Sequence, residues 1–190
     1  AEGSGEDVVG TNAVTLLNGA SFATGIAGQA FSFNGVNQGS ASSSLSLTDA
    51  SNTFTMEFWA LPTASRGSTS ESSSGISGIS AQRYAIYPEY GSADGTKAGA
   101  GVSVGTNGVS IFEHAQDYLP SLLVHDAPIR GWTHIAVVYQ DRLPRLYLNG
   151  TLVRTGVTSA RSRVYPSKTF GDAGTYGPYA GLLDEVAIFN

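Results

Sequence analysis

The sequence predicts an all-β protein, a two-sheet antiparallel sandwich or jelly roll, and three observations carry that prediction. Gly, Ser and Thr are abundant while the helix-favouring Lys, Glu and Met are scarce, so summed propensity weighs against helix along almost the whole chain. Short apolar runs recur with turn residues between them, as in a sandwich. The chain of 190 residues is long enough to bury roughly 70% of the surface its unfolded form exposes, so one domain spanning 1–190 builds a core without staples.

The expected strands are Val14–Leu17, Ala30–Phe33, Ser44–Leu47, Phe54–Leu61, Tyr84–Tyr87, Gly101–Val104, Val109–Phe112, Ser121–Val124, Thr133–Tyr139, Arg145–Leu148, Thr151–Val153 and Leu182–Phe189. Asn149-Gly150 between alternating strands supplies the two positive-φ residues of a type I′ hairpin turn. Thr106-Asn-Gly108 reads as a second tight turn by the same chemistry. Trp132 to Tyr139 has apolar residues on both alternating sets, the mark of a strand covered on both faces, with His134 a hydrogen-bonded core residue inside it. Residues 63–80 carry almost no large side chains and read as a mobile surface loop. Gln29–Gly35 and Gly181–Asn190 are apolar strands with polar residues out of phase, which suggests one sheet closed by the chain's own ends.

Composition excludes several functions. The net charge is −5 with only Lys97 and Lys168 as lysines, so no basic patch can neutralise a row of phosphates and nucleic acid is not an expected partner. No apolar run approaches the roughly 18 residues of a membrane helix, and no signal peptide opens the chain. It therefore reads as a mature or excised piece of a larger polypeptide. The absence of cysteine removes disulfides, thiolate nucleophiles and Cys-ligated zinc.

Five segments line up in order: Glu2-Gly3 with Asp7 and Asn12; Gly28-Gln-Ala-Phe-Ser-Phe-Asn-Gly35; Phe54-Thr-Met-Glu-Phe-Trp59; Gly131-Trp-Thr-His-Ile-Ala-Val-Val-Tyr139 with Leu146-Tyr-Leu-Asn-Gly150; and Gly181-Leu-Leu-Asp-Glu-Val-Ala-Ile-Phe-Asn190. Together they resemble the laminin-G-like, concanavalin A-like jelly-roll domains of bacterial secreted and surface proteins. The resemblance implies a non-catalytic, lectin-like carbohydrate-binding module at the cell surface or outside the cell. The same scaffold also serves as a protein–protein adhesion or spacer domain, and in some members as a polysaccharide lyase or hydrolase. It further implies a structural calcium ion where the first and last strands meet, with Glu2, Asp7, Asn12 and Asp184 as candidate ligands. Calcium takes six to eight oxygens, so carbonyls or water would complete the shell. The competing reading has Asp184 accepting backbone N–H groups at a sheet end and Glu2 solvated. Asn34 stands where many relatives carry Asp.

The residues speak against catalysis. Glycosidases need two carboxylates across one sugar ring, whereas Glu57 stands alone and Asp184 and Glu185 are adjacent, so they point to opposite faces of a strand. His114, His125 and His134 have no metal-ligand spacing and no G-x-S-x-G elbow is present; His114 beside tyrosines keeps a lyase reading open. Sugar sites pair aromatic platforms with orienting polar groups, and the tyrosine-rich middle supplies both. The candidate ligand-binding residues are Arg83, Tyr87, Glu89, Tyr90, Glu113, His114 and Tyr118, with Tyr176 and Tyr179 as a second wall. Tyr84 and Tyr87 are expected on opposite faces of one strand, and Pro88 to end it, freeing Glu89 and Tyr90 in a loop. The alternative is that the tyrosines are core and edge packing.

Overall fold

The computed structural model describes residues 2–6, 13–36, 40–43, 47, 49–171 and 176–190. The chain forms two facing sheets. The first runs β1 (Val14–Leu17), β4 (Ser40–Ser43), β14 (Thr169–Phe170), β6 (Tyr84–Tyr87), β7 (Lys97–Gly105), β8 (Gly108–His114) and β9 (Ser121–His125), with β13 (Arg163–Pro166) parallel to β7. The second runs β12 (Thr151–Thr155), β11 (Leu143–Leu148), β10 (Thr133–Gln140), β5 (Phe54–Pro62), β15 (Ala180–Phe189), β3 (Gln29–Asn34) and β2 (Ser21–Thr24). This is the antiparallel jelly-roll sandwich that the sequence predicts. No helix among the described residues is long and apolar enough to cross a membrane.

Alternation builds the core. Phe54, Met56, Phe58 and Ala60 of β5 and Ile135, Val137 and Tyr139 of β10 face inward against Ala100, Val102 and Val104 of β7 and Val109 and Ile111 of β8. Each large apolar side chain so buried contributes about 1.5–3 kcal/mol. The hairpin at Asn149-Gly150 has both residues at positive φ, 49° and 78°, and Asn149 Oδ1 accepts His134 N at 2.9 Å.

Other sequence expectations need correction. The second tight turn falls at Thr106-Asn107, because Gly105 pairs with Gly108; Asn107 holds it by accepting Arg66 N and donating to Arg66 O. Gln29–Asn34 (β3) and Ala180–Phe189 (β15) do pair antiparallel in one sheet, as expected, but β15 lies in mid-sheet between β5 and β3 and the first strand, β1, belongs to the other sheet, so the chain's ends do not close it. Most of the expected strand at 44–47 lies outside the described residues; the described strand is Ser40–Ser43. His134 is not in the core: the inward set of β10 is Ile135, Val137 and Tyr139, which leaves His134 half-buried on the outer face, 5.3 Å from the Trp59 ring.

Residues 63–80 are pinned. Arg66 is buried and its guanidinium pairs with Asp126 at 2.5 Å. Glu71 accepts Val124 N and two Arg154 nitrogens, Ser72 N donates to Ser121 O, and Ser77 and Gly78 donate to Leu119 O. The segment thus satisfies backbone groups along the edge strand β9 that would otherwise invite another strand. Small side chains here permit close backbone approach.

Glu113 ties the two sheets together. Its carboxyl is fully buried on the inner face of β8. Tyr139 of the opposite sheet donates to Oε1 at 3.1 Å, Tyr118 to Oε2 at 3.0 Å, and Ser159 also donates to Oε2. Burial pushes the carboxyl up to about 7 against the opposing pull of those hydroxyls. A folded-state value raised above the unfolded one means that the native state holds the proton more tightly. Its contribution is complete below the unfolded value and is lost as pH rises through about 7. That contribution is on the order of 3 kcal/mol, since each tenfold gain in proton affinity is worth about 1.4 kcal/mol. The melting temperature of the wild type is therefore expected to fall from about pH 5 to pH 8 more steeply than that of Glu113→Gln. Parallel curves in a pH series of thermal melts would contradict this assignment.

Candidate functional site

The site stands on β7. Directly paired residues of β7 and β8 share a face: Ala100 with Glu113 and Val102 with Ile111 point inward, while Gly99 with His114 and Gly101 with Phe112 point outward. The outer face of β7 at 99 and 101 is bare, and the chain leaving β6 crosses directly over it. A Cβ at Gly101 would sit 2.6 Å from Ile86 O and closer still to Pro88 N. One at Gly99 would sit 2.9 Å from Ser167 Oγ and closer to Glu89 O, and one at Gly91 would meet the Lys97 carbonyl and lie 2.6 Å from Ala98 Cα. Ser167 Oγ accepts Glu89 N at 2.8 Å and Gly91 N donates to His114 O at 3.0 Å, which fixes the crossing segment.

An irregularity in β6 aims the tyrosines. Tyr84 pairs with Ser103 and Ile86 with Val102, so the register shifts between them. Ala85 and Ile86 go to the core, and Tyr84 and Tyr87 both face outward with ring centroids 5.6 Å apart. Strict alternation forbids that arrangement; a bulge permits it. Tyr84 is fully buried beneath Gly78, whose carbonyl accepts its hydroxyl at 2.7 Å. Tyr87, Tyr90, His114 and Tyr176 form a surface cluster beside it. Tyr87 lies 6.2 Å from Tyr176, near-parallel, and 6.2 Å from His114. Tyr90 meets His114 edge-on at 5.4 Å and is 47% exposed.

Hydrogen bonding polarises the cluster. His114 Nδ1 is 3.0 Å from Pro88 O; a carbonyl only accepts, so Nδ1 carries the proton and Nε2 is an acceptor in the neutral ring. Burial lowers the imidazole from its usual value, against the Pro88 bond, which raises it. The Tyr90 hydroxyl donates to Gln116 Oε1 at 2.6 Å, and Gln116 Nε2 donates to Asp117.

The remaining candidates are elsewhere. Glu113 and Tyr118 face the interior, because Glu113 is out of phase with His114 by one residue. Tyr118 lies under the Arg161 guanidinium, 3.9 Å from its ring centre. Tyr179 is a core residue against Phe33. Glu89 sits at the base of the crossing and accepts the Thr169 hydroxyl at 2.9 Å. Arg83 donates to the carbonyls of Ser65, Gly35 and Pro178, clamping three segments of chain. Sequence reasoning missed Gln116; its only signal was proximity to Tyr118. It also missed the glycines of β7, whose alternation in Ala98-Gly-Ala-Gly101 was the available sign.

At the opposite sheet, Asp184 is fully buried and its Oδ2 accepts Ile26 N at 2.9 Å and Ala27 N at 3.1 Å, while Oδ1 accepts Glu185 N at 3.0 Å. A bulge with Glu185 at φ 49° turns the carboxylate toward the β2–β3 turn. The Glu2 carboxylate lies against Gly28 of that same turn. Asp7 and Asn12 lie outside the described residues. Among the described residues no group of three or more His, Cys, Asp or Glu is placed to hold a metal. Both oxygens of Asp184 thus already accept backbone N–H groups, as the competing reading expects.

A sequence profile described as the concanavalin A-like lectin/glucanases superfamily matches residues 33–190. A search of curated proteins returned no match. Among solved structures, the chain is similar to domain 4 of AbnA, an extracellular GH43 arabinanase from Geobacillus stearothermophilus in complex with arabinotriose. The TM-score is 0.64 at 18% identity, covering 98% of this chain and 87% of that one. It is also similar to the carbohydrate binding module CBM66 from Bacillus subtilis, with a TM-score of 0.51 at 14% identity, covering 93% and 95%. The binding domain of Paraclostridial Mosquitocidal Protein 1 matches at a TM-score of 0.61 and 13% identity, over 97% of this chain and 45% of that one. At these identities the likeness is one of fold.

A methyl group at position 101 would collide with backbone, which cannot swing aside as a side chain does. Gly101→Ala is expected to cost about 1–3 kcal/mol, read by denaturant unfolding. Gly131→Ala, whose Cβ meets nothing within 4 Å, serves as the neutral control. Equal stability of the two variants would contradict the crossing geometry.

Proposed function

Because the chain belongs to the concanavalin A-like lectin/glucanases superfamily, we propose that it is a non-catalytic carbohydrate-binding module that grips a glycan at the Tyr87, Tyr90, His114 and Tyr176 cluster. The observation that carries this reading is an aromatic surface with a fixed imidazole among its rings. Sugar rings offer apolar C–H faces to aromatics and hydroxyls to polar groups. The similarity to a carbohydrate binding module and to an arabinanase domain solved with arabinotriose supports it. A non-catalytic role is supported by the carboxylates nearby: Glu113 is turned into the interior and Glu89 is engaged by Thr169, so no facing pair of acids flanks the cluster among the described residues. In this reading the module works outside the cell or on its surface within a longer polypeptide. A structural calcium ion held by Glu2, Asp7, Asn12 and Asp184 is part of the same proposal; the ion would fasten the start of the chain to its last strand.

Affinity electrophoresis against plant, algal and host glycans is expected to find a ligand whose binding weakens at least tenfold in Tyr90→Ala, about 1.4 kcal/mol. Silence across the panel would contradict carbohydrate binding. A chelator is expected to lower the melting temperature and added calcium to restore it, since a ligand that binds only the folded state stabilises it. An unchanged melting temperature would leave the hydrogen bonds of Asp184 as the whole of that junction.

A further inference from the structure

The outer face of the second sheet carries another cluster of mixed chemistry. Directly paired residues share a face, so the register of β15, β5, β10 and β11 sets Trp59 beside His134 in one row and Ala187, Glu57, Ala136 and Tyr147 in the next. Trp59 and His134 meet edge-on, with ring centroids 5.3 Å apart and planes at 61°. His134 Nε2 lies 3.9 Å from Glu57 Oε2, diagonally across the strand pair, and the two side chains keep 27% and 34% of their surface exposed. That separation is too long for a direct hydrogen bond and suits a third group between the two atoms. The residues paired with Glu57 on either side are alanines, so no long side chain from those positions screens the carboxylate from a ligand.

The group that fits between them is a hydroxyl. An imidazole Nε2–H donates and an ionised carboxylate accepts, whereas a hydroxyl does both at one oxygen: it accepts from the ring and gives its own proton to Glu57. Water meets that need as well, but a sugar also brings an apolar C–H face for the indole beside the pair to cover. We propose that Trp59, His134 and Glu57 form a second saccharide site, in which a sugar hydroxyl bridges His134 Nε2 and Glu57 Oε2 while the sugar ring packs on Trp59, with Tyr147 at the end of the row. The ligand class rests on the carbohydrate-binding reading above, but the site is independent of the tyrosine cluster. The two sites lie on opposite outer faces of the sandwich, so one short oligosaccharide cannot fill both. A module that carries both joins two glycan chains.

The test follows the indole N–H resonances of Trp59 and Trp132, the two tryptophans of the chain, in the nitrogen-15-labelled protein, with Trp132→Phe to assign them. The probes are arabinotriose, xylotriose, cellotriose, mannotriose, kestose and sialyllactose. The Trp59 resonance is expected to shift saturably with at least one probe, in the wild type and equally in Tyr90→Ala. Glu57→Ala leaves the indole in place and is expected to weaken that titration about tenfold, the effect of losing a hydrogen bond to a charged group; the remaining resonances report that the variant is folded. His134→Gln, whose amide also donates, is expected to lose less than His134→Ala. A Trp59 resonance unmoved by every probe, with a probe bound in the wild type and lost in Tyr90→Ala, would overturn the second site and leave the tyrosine site standing. A Trp59 titration undiminished in Glu57→Ala would overturn the hydroxyl bridge and the site as assigned here. A Trp59 titration with no probe sensitive to Tyr90→Ala would support the second site and overturn the placement of the first. Binding of no probe at all would overturn both.

Discussion

The outer surface of the first sheet depends on two missing side chains. At Gly99 and Gly101 strand β7 presents only backbone, and the segment from Ile86 to Gly91 lies directly on it. That contact brings Pro88 O to His114, Glu89 N to Ser167 and Gly91 N to the His114 carbonyl. With any side chain at those positions the segment must lift. The imidazole would then lose the bond that fixes its tautomer, and Tyr90 would lose its place against the ring. Packing at a bare backbone surface is thus converted into the electrostatic polarity of a site several ångströms away.

Two adjacent residues show how one strand serves both faces. Glu113 points into the sandwich, where three hydroxyls from β10, the 115–118 turn and the 156–162 segment close around it. His114 points outward among tyrosines. Burial favours the protonated form of this acid over the ionised one, and in that form one of the surrounding hydroxyls accepts its proton while the others donate. The outward imidazole keeps one nitrogen for the surface. Neither role interferes with the other, because the strand itself separates them.

The fold was legible because its signals are local. The Asn149-Gly150 hairpin, the alternation in Phe54–Leu61 and the poverty of helix formers each report on neighbouring residues, and the structure agrees with all of them. The site was legible only in part. Tyr87, Tyr90, His114 and Tyr176 stand out in the sequence and are brought together, but Glu113, Tyr118 and Tyr179 stand out with them and are interior. Composition cannot tell a surface tyrosine from a buried one when a bulge shifts the phase, as it does between Tyr84 and Ile86. The 63–80 segment misled for a related reason. Small polar residues read as freedom, yet here they admit long-range backbone hydrogen bonds to β9 and two ion pairs that no local pattern encodes.

The most direct measurement is the nitrogen-15 resonance pair of the His114 ring in the free protein and on titration with a bound glycan. The account predicts a neutral ring near pH 7 with the proton on Nδ1 and a bare Nε2, and a change confined to the Nε2 resonance as its lone pair takes a hydroxyl proton. A proton on Nε2 in the free protein, or a ring indifferent to a glycan that the protein binds, would contradict it.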